Sequence, residues 1–123
     1  MGIKPIGLAI LMLGLAGCAV TKVQPLTKTS FAVSTTAAPA CGQSGASSVA
    51  NKVASIEVIK RGGDKFYFEE ARSDYRIIED SLVVQMVGPG HPKYRIAFSA
   101  REELGPNWKE IVAKGTPNTC IEE

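Results

Sequence analysis

The chain has 123 residues, room for one domain of ordinary size, which excludes a multidomain enzyme. Hydrophobic residues make up 45% and charged residues 21%, so the chain as a whole has the apolar content to build a core. Fourteen Lys and Arg stand against 12 Asp and Glu, a formal +2, and so small a surplus leaves no footprint for a nucleic-acid partner.

The amino terminus carries one side-chain cation, Lys4, and residues 6–16 are then apolar or Gly throughout. Such a run is too short for a transmembrane helix, which needs about 20 residues, and suits the apolar region of a secretory signal peptide. It ends in Leu15-Ala16-Gly17-Cys18. These four positions resemble the lipobox of bacterial lipoproteins: Leu, two small residues, then Cys. The resemblance implies a signal peptide over residues 1–17 and diacylglyceryl attachment to the Cys18 sulfur. It further implies cleavage before Cys18 and acylation of the new amino terminus with palmitate-type chains. Each buried CH₂ contributes about 0.8 kcal/mol, so several chains hold a protein on a membrane where one holds weakly. The membrane is then a partner through covalent lipid. In lipoproteins of this type Asp after the Cys favours the inner membrane. Ala19 stands there, which implies the outer membrane, facing the periplasm.

Residues 18–44 are rich in Ser, Thr, Ala, Gly and Pro, with Lys22 and Lys28 as their only charges. Such composition buries little apolar surface against its chain entropy, so a flexible lipidated tether is expected there, ahead of a domain over residues 45–123. The alternative for part of it is an edge strand at Phe31-Ala32-Val33. With Cys18 lipidated, Cys41 and Cys120 remain. Export places them in an oxidising compartment, and two cysteines allow one pairing, so a Cys41–Cys120 disulfide is expected. It would close a loop of about 80 residues, worth about 4–5 kcal/mol in the chain-entropy model. A metal site would need further ligands, and His91 is the only His, so neither metal nor cofactor is expected.

Residues 47–61 have a helical period: Ala46, Val49, Ala50, Val53, Ala54 and Ile56 share a face, and Gly62-Gly63 ends the run. Glu57 falls within that face. It is a half-buried carboxylate with a raised pKa, the partner of an Arg on the facing sheet, or a residue at the edge of the face. A strand is expected over 64–71, with Phe66 and Phe68 under the helix and Tyr67 opposite. A turn at Ser73-Asp74, a strand over 75–78 and a second turn at Glu79-Asp80-Ser81 follow. A central strand over 82–87 and a breaker loop over 88–92 come next. Residues 93–98 alternate, with Tyr94, Ile96 and Phe98 on one face. Ser99 and Glu102 form a capping-box pattern, and Leu104, Trp108, Ile111 and Val112 continue at helical spacing, with Trp108 in the core. Gly105-Pro106 breaks or kinks this helix, Pro106 restarting it, and Gly115 ends it. The order predicts an α+β domain: an antiparallel sheet of about four strands flanked by an N-terminal and a C-terminal helix against one face.

Ala54-Ser55-Ile56-Glu57 followed by Gly63-Asp64-Lys65-Phe66 resembles the helix-to-strand junction of small uncharacterised bacterial envelope lipoproteins, which implies a packing motif and no known catalysis. Asp64 stands where those proteins often carry Tyr.

Catalytic patterns do not assemble. Gly42-Gln43-Ser44-Gly45 falls short of a nucleophile elbow and lies in the expected tether. Gly88-Pro89-Gly90 lacks the donors and following helix of a phosphate loop. Glu69-Glu70 and Glu102-Glu103 read as solvated charges. The sequence therefore points to a lipid-anchored envelope protein with a structural or protein-interaction role, an envelope protein partner and no catalysis. An unpaired sheet edge near Tyr67, Tyr75 or Tyr94 would suit it. The alternative is an anion-binding module in the 88–95 loop, using His91, Lys93 and Arg95.

Overall fold

Alternation builds the sheet. Along Ser30–Ala37 the side chains of Phe31, Val33, Thr35 and Ala37 point to one face and are buried, while Ala32, Ser34 and Thr36 point to the other. The structure, a computed structural model, describes residues 18–74 and 78–120. The expected leader and Tyr75 lie outside the described residues.

The elements run β1 (Ala19–Pro25), β2 (Ser30–Ala37), a 3₁₀ turn (Pro39–Cys41), α1 (Gly42–Lys60), β3 (Lys65–Asp74), β4 (Glu79–Met86), β5 (Phe98–Ser99), α2 (Ala100–Leu104) and α3 (Trp108–Lys114). The five strands form one sheet in the order β1-β2-β4-β3-β5, every neighbour antiparallel. The fold is α+β as expected, with five strands rather than about four. A cluster of buried side chains lies between α1 and the sheet, with Phe31, Val33, Phe66, Leu82 and Val84 meeting Ala46, Val49, Ala50, Val53 and Ala54. The alanines let the helix approach the strands closely. Gly62, at φ 84°, reverses the chain after α1, and its N–H donates to Ile59 O at 2.9 Å. α2 and α3 pack on α1 rather than on the sheet.

The main correction concerns the expected tether. Residues 19–37 are the first hairpin of the sheet, and β2 is an inner strand, not an edge strand. Val23 pairs with Val33, and Thr21 pairs with Thr35. The hydroxyls of that threonine pair hydrogen-bond at 2.9 Å, so Thr35 is buried without an unmet polar atom. Gly42-Gln43-Ser44-Gly45 is accordingly the first turn of α1, which starts earlier than residue 47.

Three smaller corrections follow. Ser73-Asp74 and Glu79-Asp80-Ser81, expected as turns, are strand residues; Ser73 Oγ donates to Asp80 Oδ1 at 2.8 Å, which lets a buried Asp80 stand in β4. Residues 93–97 are successive turns rather than strand. The N–H of His91 donates to Gly88 O, that of Tyr94 to His91 O and that of Ile96 to Lys93 O, at 3.0–3.2 Å. Only Phe98–Ser99 joins the sheet, and Ile96 is 81% exposed. Trp108 is half-buried beneath the Arg101 and Lys109 side chains, at 4.9 and 5.5 Å, and not in the core.

Candidate functional site

β1 begins at the residue after Cys18, so no spacer separates Cys18 from the domain. Three segments converge there. Cys18 bridges Thr119 in antiparallel fashion, Ala19 N–H donates to Asn118 O at 3.0 Å, and Ala38 N–H donates to Cys18 O at 2.9 Å. Ala19 is buried and Cys18 half-buried. Cys41 and Cys120 form the expected disulfide, their Cα atoms 5.9 Å apart. The bond holds the C-terminal tail against the start of α1, and so holds Thr119 beside Cys18. Gly45 makes room for it: a Cβ there would lie 2.9 Å from Cys41 Cβ and 3.4 Å from Cys120 Cβ.

Glu57 is half-buried and paired, its Oε1 3.1 Å from Arg61 Nε, one turn on in the same chain segment rather than on the facing sheet. Arg61 in turn reaches Thr27 O at 3.4 Å and lies over the Phe31 ring. A carboxylate held this way braces the end of α1.

Of the three residues expected to face an anion, two come together. His91 lies 5.9 Å from the Tyr67 ring and Lys93 Nζ 4.3 Å above it. The Lys93 N–H donates to His91 Nδ1 at 3.0 Å, leaving Nε2 as the imidazole's outward donor. Arg95 is exposed. The loop is exposed from residue 88 to 93, so its cations face solvent rather than a pocket.

Sequence reasoning missed the role of Asp64. Its Oδ2 accepts from Ser99 Oγ at 2.8 Å, its Oδ1 from Arg101 N–H at 3.0 Å, and its carbonyl from Ala100 N–H at 2.8 Å. Ser99 Oγ accepts from Glu102 N–H at 3.4 Å, the expected cap. One carboxylate thus ties the start of β3 to the start of α2. An acid just past Gly62-Gly63 was the available signal.

The sheet face away from α1 is uncovered among the described residues. A shallow groove of about 760 Å³ runs over Ala32, Ser34, Ser81 and Val83, rimmed by Glu70 and Arg72. A second hollow of about 580 Å³, between α1 and the C-terminal helices, is lined by Ser44, Ser47, Ser48 and Asn51. Among the described residues no three His, Cys, Asp or Glu side chains gather as a metal site would require, and no helix is long and apolar enough to cross a membrane. No known family model, curated protein or solved structure matches the chain.

Proposed function

We propose that the protein is a lipid-anchored protein of the bacterial cell envelope, held through acyl chains on Cys18, that acts by contact with other proteins and not by catalysis. The observation that carries this reading is the position of Cys18. It ends the Leu15-Ala16-Gly17-Cys18 motif and immediately precedes β1, so cleavage before it would leave every described strand and helix intact. The Cys41–Cys120 disulfide fits an exported chain. The uncovered sheet face and the pairing of Glu57 with Arg61 favour contact over acid-base work. On this reading the domain is joined to its lipid without a spacer.

Intact mass of the protein extracted from its own membranes tests the reading. Loss of residues 1–17 with a gain of acyl mass, abolished by Cys18→Ser, is the expected result. A chain without acyl mass, recovered in the aqueous fraction, overturns it.

A further inference from the structure

We infer that two copies of the chain pair through the outer edge of β3, antiparallel, with Ala71 of one copy opposite Ala71 of the other. β5 covers only Lys65 and Phe66. From Tyr67 to Ser73 no strand among the described residues pairs with that edge, and residues 69–73 are exposed. A row of unpaired backbone donors and acceptors is a template for another strand.

Edges are commonly blunted with bulges and charge, and β3 has both: a bulge between Phe68 and Glu70, and Glu69, Glu70, Arg72 and Asp74 along its length. The order of the charges decides whether they block a second copy. A two-fold axis through the joined sheet keeps each residue's face, so only registers centred on a residue are allowed. Centred on Glu70, two glutamates oppose each other. Centred on Arg72, two arginines oppose each other and Glu70 opposes Asp74. Centred on Ser73, Arg72 faces Asp74, but the overlap shrinks to three strand residues. Centred on Ala71, Glu70 faces Arg72 of the second copy twice over, and the overlap runs from residue 69 to 73.

Glu70 and Arg72 already share a face and an ion pair of 2.8 Å within one copy, so pairing would give a closed ring of four alternating charges. Exposed ion pairs contribute little by themselves. They select the register, while backbone hydrogen bonds contribute the affinity. The central Ala71 is small and exposed, so no side chain obstructs the axis. The pairing does not depend on lipidation.

Cysteine scanning reads the register. Directly opposed residues have Cα atoms about 4.5–5.5 Å apart, within disulfide reach, whereas Ser73 and its copy would be separated by about 13 Å. The full chain, expressed with its leader and extracted in mild detergent, should give a disulfide-linked dimer for Ala71→Cys and not for Ser73→Cys. Sedimentation of the wild-type chain should show a dimer that Arg72→Glu weakens at least tenfold and that Glu70→Arg with Arg72→Glu restores. Equal cross-linking at both positions, cross-linking at 73 instead, or Ala71→Cys captured on a different protein overturns the proposal. So does a wild-type monomer that none of the variants changes.

Discussion

The Arg61 guanidinium lies 4.7 Å above the ring of Phe31, joining the last turn of the helix to the first inner strand of the sheet. The same side chain pairs with Glu57 and reaches the carbonyl of Thr27 in the turn between β1 and β2. Its side chain is only 17% exposed, so the stack is sheltered from solvent. A partly desolvated cation–ring contact is worth about 1–2 kcal/mol and a helical i,i+4 ion pair about 0.3–0.5 kcal/mol. Arg61→Ala should therefore lower unfolding free energy in urea by about 1–2 kcal/mol. Glu57→Gln should cost about 0.5 kcal/mol at most. A Glu57 effect larger than the Arg61 effect would mean that the carboxylate has a role beyond bracing.

Gly45 sets up a conflict whose sign depends on the disulfide. An alanine in a helix gains about 1 kcal/mol over glycine. Here its Cβ would press on Cys41 and Cys120 at 2.9 and 3.4 Å, and overpacking of this kind costs about 1–3 kcal/mol. With the bond intact, Gly45→Ala should destabilise. In a Cys41→Ser, Cys120→Ser background, where residue 41 can relax, the same substitution should be neutral or stabilising. Thermal unfolding of the four proteins reads the sign change. Loss of the disulfide alone should cost no more than about 4–5 kcal/mol.

Asp64 predicts a local effect rather than a global one. Its carboxylate accepts from both Ser99 and Arg101, so Asp64→Ala removes the start of α2 from its support, at about 1–2 kcal/mol. Trp108 follows in α3 and should report it: its fluorescence should shift to the red under conditions where the strands remain protected from hydrogen exchange. Asp64→Asn keeps one acceptor and should fall between. Simultaneous loss of strand protection would show that α2 and the sheet unfold as one unit.

How far the sequence revealed this fold can be judged from two stretches. Residues 46–56 were legible because a repeated apolar face at 3.6 spacing has one solution, and all six residues expected on it are buried. Residues 30–37 were not, although Phe31, Val33 and Thr35 alternate with Ala32, Ser34 and Thr36 in strand period. Composition outweighed periodicity there: small and hydroxyl residues resemble a tether, yet on an inner strand they fit beneath an alanine-faced helix and pair their hydroxyls across the hairpin. Conversely, residues 93–98 alternate, yet 93–97 fold as turns, because Pro92 interrupts the donors a strand would need and the loop bonds to itself. At the candidate site, the disulfide was expected from the cysteine count and the lipobox-like leader, whereas the absence of a spacer after Cys18 required the fold.

That first hairpin gives the sharpest test of where the domain begins. Phe31 is fully buried against α1 and the Arg61 stack. Truncating a buried Phe costs about 3–5 kcal/mol, a large part of the stability of a chain this size. Phe31→Ala should therefore unfold much of the population or lower the midpoint of denaturation steeply. Leu26→Ala, in the half-exposed turn beside it, should change stability by no more than about 0.5 kcal/mol. A tether would tolerate both. Equal tolerance of the two would return residues 19–37 to the status of a linker and remove β2 from the sheet.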